Sequence, residues 1–282
     1  MKTNILVTGA NGQLGQTIKE LFYKKDDNLN FTFVSKSELD ITETEKLNIF
    51  FETHRFDYCI NCAAFTNVEL AEDKPDIAFK INAQAVKNLA HQCNLRHVVL
   101  IHISTDYVFD GKKQEPYNEE DKTNPINVYG ASKLQGERYI KEILSEYFII
   151  RTSWLYSKYG HNFVTTIINK LQDNKPLQIT TSQTGTPTSC VDLSKFIIHL
   201  IERKNKNFGL YHFSAVGETT WYDFAIQIAS HFNHFDSNLL LPIKTFQSKA
   251  KRPKYSVLNN NKAKQYAIIQ EWKISLNTVL PY

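Results

Sequence analysis

ILVTGANGQLG, residues 5–15, is an apolar run that ends in three glycines at three-residue spacing, Gly9, Gly12 and Gly15. Ile5, Leu6 and Val7 read as a buried strand, and Leu14, Ile18 and Leu21 fall on one face of a helix that follows. Gly9 permits a sharp turn because it has no Cβ, Gly12 lets the backbone approach a ligand, and Gly15 lets the helix sit against the sheet. The unpaired N–H groups at the helix start face the turn and suit an anion such as a pyrophosphate. A tight turn alone would also explain three glycines; the strand before and the helix after favour the phosphate site.

Outward from this loop, residues 31–34, 58–61, 97–103 and 148–150 repeat the strand signal, apolar on both faces. Helical patterns separate them, among them Ile77, Ile81, Ala85 and Leu89 with Pro75 near the start. The alternation predicts an α/β fold with a doubly wound, parallel, Rossmann-type sheet. Residues 1–152 read as the dinucleotide-binding domain. Residues 153–282 read mainly as a smaller C-terminal substrate-binding domain, with segments at about 190–215 returning to the sheet. In that half, helices are expected around 161–171, 192–201 and after Trp221, a strand at 210–213, and a polar, turn-rich stretch at 180–189.

A net charge of +4 with dispersed basic residues gives no nucleic-acid footprint, though it suits anionic small molecules. No stretch approaches the roughly 18 to 20 apolar residues of a membrane helix, and the N-terminus has no signal-peptide layout, so a cytoplasmic protein is expected. Cys59 and Cys62 have no second close pair of Cys or His to complete a metal site, and with Cys93 and Cys190 they read as buried thiols.

Two features point to redox chemistry. After the second strand come Ser35 and Lys36, where an acid would bind a ribose 2′-hydroxyl; their presence suits a 2′-phosphate and favours NADPH, with NADH as the alternative. Tyr129 and Lys133, four residues apart, share a helix face. Among 14 tyrosines such a pair arises about once by accident. This one follows the strand that ends in Ser104 and Thr105, on the edge where open α/β sheets bind ligands. A free phenol ionises near pH ~10, and an ammonium neighbour favours its anion, bringing it within reach of proton exchange with a substrate oxygen. Thr105 would orient the carbonyl.

The glycine spacing resembles that of extended short-chain dehydrogenase/reductases. Further motifs resemble one family, the dTDP-4-dehydrorhamnose reductases: Leu39-Asp40-Ile41-Thr42, residues 61–69 (NCAAFTNVE), 104–111, 129–133, 151–154, Asn162-Phe163, 183–188 and Arg252-Pro253. The resemblance implies reduction of the C4 ketone of dTDP-4-dehydro-6-deoxy-L-mannose to dTDP-L-rhamnose, with Thr105, Tyr129 and Lys133 catalytic. It implies cofactor contacts from Asn11, Gln13, Leu14, Asp40, Ile41, Ala63 and Ala64, with Lys133 on the nicotinamide ribose; Asp40 could instead cap the helix beginning near Thr42. Substrate contacts fall to Thr66, Val68, Trp154, Asn162, Gln183 and Arg252, and core packing is the alternative for Trp154. Asn82 would bridge polar groups near the site. Some members place a carboxylate just beyond the glycine loop for a metal at a dimer contact. Gln16 and Thr17 stand there here, so no metal is expected, and the mode of any homodimer is left open. Ser182 stands where an acid often precedes the glutamine.

Three rivals share this machinery or ancestry: a reductase of another nucleotide 4-ketosugar, a sugar-nucleotide epimerase, and a non-catalytic dinucleotide-binding regulatory subunit. The intact Thr105, Tyr129 and Lys133 set argues against the last.

Overall fold

The computed structural model describes residues 2–232, 236–245 and 247–280. The first half runs β1 (Thr3–Thr8), α1 (Gln13–Phe22), β2 (Leu29–Val34), α2 (Thr44–Thr53), β3 (Tyr58–Asn61), α3 (Val68–Asp73), α4 (Pro75–Phe79), a π-helical turn (Lys80–Gln84), α5 (Ala85–Leu95), β4 (Val99–Thr105), α6 (Val128–Ile143) and β5 (Tyr147–Thr152). There follow β6 (Leu155–Tyr156), α7 (Phe163–Gln172), β7 (Leu177–Thr180), β8 (Thr184–Gly185), β9 (Thr188–Ser189), α8 (Cys190–Glu202), β10 (Gly209–His212), β11 (Thr219–Thr220), α9 (Trp221–Ala229), β12 (Leu240–Ile243) and α10 (Trp272–Asn277).

Six strands form one parallel sheet in the order β2-β1-β3-β4-β5-β10. The chain moves outward from β1 to β2, then crosses back to place β3 on the other side of β1. The crevice at the carboxyl ends of β1 and β3 is therefore the switch point at which such sheets bind ligands. Alternation along each strand divides the core into two layers. Ile5, Val7, Ile60, Ile101 and Phe148 pack under α1 and α8. Leu6, Cys59, Leu100 and Ile149 pack under α2, α5 and α6. The C-terminal elements gather a third cluster around Tyr156, Ile167, Phe224 and Trp272.

The fourth strand and the helix before it differ from the sequence expectation. The fourth strand begins at Val99, not His97, because His97 takes a left-handed φ of 53° and Val98 donates back to the Cys93 carbonyl, closing α5. It ends at Thr105, as expected, which brings that hydroxyl to the strand's end. The helix expected through residues 77–89 is interrupted by the π turn, which buries Asn82.

One polar contact locks α6 onto this framework. Arg151 of β5 forks onto Glu137 of α6, Nε to Oε1 at 2.9 Å and Nη2 to Oε2 at 2.7 Å, and Ser104 Oγ donates to Oε1 at 2.5 Å. Glu137 is wholly buried and Arg151 is 2% exposed, so each charge depends on the other. Glu137→Ala leaves the guanidinium buried and alone, and urea denaturation is expected to show a loss of about 3–5 kcal/mol. A loss under about 1 kcal/mol, the scale of an exposed pair, would contradict this.

Candidate active site

The turn after β1 is built for close approach. Gly9 has φ +66°, and a Cβ there would stand 2.6 Å from the Ala63 nitrogen at the end of β3. Gly12 N-caps α1 with no side-chain hydrogen bond, so the first amides of α1 face the crevice without a protein cap. A groove of about 240 Å³ begins there, lined by Gly9, Asn11, Gly12, Lys36, Asp40, Ile41, Ala63 and Ala64. Uncapped helix amides, a side-chain-free turn and an apolar slot fit a dinucleotide's pyrophosphate and adenosine.

A second cavity, of about 490 Å³, adjoins it and shares Asn11, Gly12, Cys62 and Ala64. Its lining brings together Gln13, Leu14, Thr66, Val68, Thr105, Tyr129, Lys133 and Trp154. Thr105 arrives on β4, whereas Tyr129 and Lys133 arrive one turn apart on α6. Asn127 caps that helix through the Gly130 amide at 2.7 Å. Gly130 has no room for a side chain: a Cβ would lie 2.1 Å from the Tyr107 carbonyl oxygen. Tyr107 and Tyr129 meet edge to face, with ring centroids 5.7 Å apart.

The electrostatics correct one expectation. Burial pushes the Tyr129 phenol up to about 12, a hydrogen bond with Thr105 opposes this, and Asp106 adds to it. Lys133 does not draw the phenol toward neutrality here, because Nζ is engaged elsewhere: it donates to the Ile103 carbonyl at 2.6 Å and lies 3.2 Å from His102 Nε2. Burial brings Lys133 itself down to about 8, with Glu137 and Cys62 opposing. Tyr129 is thus a protonated phenol at neutral pH, the form in which a group donates a proton to a developing alkoxide.

A basic chamber of about 950 Å³ is lined by Lys112, Lys113, Lys244, Lys251, Arg252 and Lys254 together with Gln183. Arg252 pairs with Glu69 at 2.7 Å. The cap residue Asn127 also donates to the Lys251 carbonyl at 2.7 Å, tying this chamber to the helix of Tyr129. Trp154 stacks on Trp221 with centroids 3.6 Å apart, and Trp221 Nε1 donates to Gln183 Oε1 at 3.1 Å. Trp154 therefore both packs and lines the cavity.

Some predicted residues sit elsewhere. Asn162 is 8% exposed and organises the start of α7: Oδ1 accepts from Thr165 N, and Nδ2 donates to the carbonyls of Ser157 and Tyr159. Its amide is thus spent within the chain instead of facing the cavity. Ser35 does not line the cofactor groove itself, and its N–H and Oγ donate to Glu38 at 2.7 and 2.6 Å. It lines an adjoining hollow with Asn11, Lys19 and Ser37, and Lys36 is the basic residue of the groove itself. Gly15 is required by the loop and not by the sheet, since a Cβ would meet Gly9 O at 2.7 Å. Asp40 lines the groove and accepts from Thr42 N at 2.9 Å in the turn before α2, but it does not cap that helix, whose N-cap is Glu43. Asn82 bridges Phe65 and Ser132, fastening the loop of Thr66 to α6. Sequence reading missed Asp106, Asn127 and Trp221. Asp106 alone carried a signal, its place beside Thr105.

A glycine-loop groove at the switch point, joined to a threonine, tyrosine and lysine set, defines an oxidoreductase of the extended short-chain dehydrogenase/reductase class. The family described as RmlD substrate binding domain matches residues 2–281. A dTDP-4-dehydrorhamnose reductase of Aggregatibacter actinomycetemcomitans is 32% identical, covering 99% of this chain and 98% of its own. A dTDP-4-keto-6-deoxy-D-glucose reductase of Streptomyces niveus is 32% identical over 98% and 96%. The crystal structure of a dTDP-4-dehydrorhamnose reductase from Bacillus anthracis in complex with NADP superposes with a TM-score of 0.94 at 38% identity, covering 99% of each chain. The chain belongs to the dTDP-4-dehydrorhamnose reductase family.

Asp106 gives the site a pH signature. It is 2% exposed, its Oδ2 has no hydrogen-bond partner among the described residues, and burial raises the carboxyl from 3.8 to about 6. A raised carboxyl favours folding in its protonated form, so its contribution is lost as pH climbs through about 6. Asp106→Asn is expected to gain on the parent in Tm above that pH. It also removes the charge that opposes Tyr129 ionisation, so the alkaline fall in kcat/KM should move to lower pH. An alkaline limb that stays in place or moves upward would contradict this.

Proposed function

We propose that this protein reduces the C4 ketone of dTDP-4-dehydro-6-deoxy-L-mannose to dTDP-L-rhamnose with NADPH. The observation that carries the reading is the meeting of Thr105, Tyr129 and Lys133 in a cavity that adjoins the dinucleotide groove. The bound dinucleotide supplies hydride to the carbonyl carbon. Thr105 orients the carbonyl oxygen, and Tyr129 donates its proton as the alkoxide develops. Lys133 would bind the nicotinamide ribose hydroxyls. Thr66, Val68 and Trp154 shape the sugar pocket, while Gln183 and Arg252 meet the nucleotide and its pyrophosphate, for which a planar guanidinium suits two phosphate oxygens.

In this reading residues 1–152, with the returning α8 and β10, serve the dinucleotide, and the remainder serves the sugar nucleotide. No helix among the described residues is long and apolar enough to cross a membrane. Both substrates are polyanions that cross membranes poorly, which supports work in the cytoplasm. Reduction of another nucleotide 4-ketosugar by the same residues is the second reading, supported by the name of the Streptomyces relative.

Purified protein given the 4-keto sugar nucleotide is expected to oxidise NADPH, followed at the nicotinamide absorbance, with dTDP-L-rhamnose as product. Tyr129→Phe should keep dinucleotide affinity and lose about 10²–10⁴-fold in kcat. A variant as fast as the parent would remove Tyr129 as the acid. Lys36→Glu should raise the KM for NADPH about tenfold, or ~1.4 kcal/mol, and that for NADH far less. Equal effects on both would take Lys36 away from the 2′-phosphate.

A further inference from the structure

Beneath the floor of the cavity three buried side chains stand in line with Lys133, and none has a part in the reaction described above. Thr8 ends β1, Asn61 ends β3 and His102 lies on β4; the sheet registers pair Thr8 with Asn61 and Asn61 with His102. All are at most 1% exposed, and Lys133 is 2% exposed. Thr8 Oγ1 donates to Asn61 Oδ1 at 2.7 Å, Asn61 Nδ2 lies 3.0 Å from His102 Nδ1, and His102 Nε2 lies 3.2 Å from Lys133 Nζ.

The direction of these bonds can be worked out from one end. The Ala63 amide, which can only donate, also points at Asn61 Oδ1, at 3.2 Å. That contact fixes which end of the Asn61 amide is oxygen, so Nδ2 presents its hydrogens to His102. Nδ1 must therefore accept, and the single proton of a neutral imidazole resides on Nε2. Burial, with Lys133 alongside, holds His102 well below its ordinary range, so the ring stays neutral. The Nε2–H then points at Lys133 Nζ. An ammonium has three donors and no acceptor, whereas an amine accepts from Nε2–H and still donates to the Ile103 carbonyl at 2.6 Å.

We propose that His102 is a positioning residue which, with its tautomer set by Asn61, presents Nε2–H to Lys133 in the dinucleotide-free protein and so favours the amine over the ammonium form of that lysine. Charging Lys133 takes one proton from water and breaks the Nε2–H contact, so the lysine enters its working state against a fixed opposing donor. The other groups facing Nζ are the Cys62 thiol beyond β3, Glu137 one turn further along α6, and the Ile103 carbonyl. Thr8 directly precedes Gly9, so the same hydrogen-bonded line joins the glycine loop to the lysine across three strands. The inference rests on the proposed reaction only for the role of Lys133.

The test is the ring tautomer, read from two-bond ¹H–¹⁵N correlations of the dinucleotide-free protein between pH 6 and 9. The His102 signals are assigned by their loss in His102→Gln. The result expected is an Nε2–H imidazole across the whole range, with the Lys133 ¹³Cε shift marking an amine at its alkaline end. In Asn61→Asp the carboxylate can only accept, which moves the proton to Nδ1 and turns Nε2 into an acceptor. Lys133 should then titrate at least one pH unit higher, and the activity limb that follows its charge should move by the same amount. An Nδ1–H ring in the parent protein, or a Lys133 titration unmoved by a folded Asn61→Asp, would overturn the proposal. Because the tautomer is read without ketone or cofactor, its failure leaves the reductase reading standing. Absence of turnover with the expected tautomer would overturn that reading alone.

Discussion

The site depends on a carboxylate that never meets water. Glu137 accepts from Arg151 of β5 and Ser104 of β4, fixing the rotation and height of α6 against the sheet. Tyr129, Lys133 and Glu137 follow one another at four-residue spacing on one helix face, so the ion pair that anchors the last also aims the first two. Such a pair contributes little net stability beside an apolar replacement, yet its hydrogen-bond geometry admits few orientations. That trade suits a helix whose first turn must hold a phenol opposite Thr105.

The same economy appears at the other end of the crevice. Gly9 and Gly130 mark two points where backbones approach closely, one against Ala63 and the other against Tyr107. Each approach brings a strand end and a helix start together, and the cavity lies between those junctions. The basic chamber joins through Asn127, whose side chain holds both the Gly130 amide and the Lys251 carbonyl. In the proposed reaction, a polyanionic substrate bound there would be coupled through Asn127 to the helix of Tyr129.

Much of this was legible before any coordinates. The parallel sheet announced itself through doubly apolar strands and the glycine turn, and Tyr129 and Lys133 through their place after the Thr105 strand. What stayed hidden was set by tertiary contact. Asn162 and Ser35 have the right chemistry for ligands, but their polar atoms are claimed by Thr165, Ser157, Tyr159 and Glu38, and no spacing rule reports that competition. Trp221 lies 67 residues after Trp154 in sequence and stacks on it in the fold. The expected help from Lys133 to Tyr129 likewise depended on where Nζ points, which four-residue spacing does not determine.

The proposition on which the chemistry turns is that one carbonyl oxygen is reached at once by a threonine hydroxyl and a protonated phenol. A crystal structure with NADP and dTDP-L-rhamnose bound measures this directly. The sugar O4 should lie within about 2.6–3.2 Å of both Tyr129 Oη and Thr105 Oγ1. A sugar seated with O4 on Trp154 or in the basic chamber, and Tyr129 Oη turned toward another group, would contradict the account.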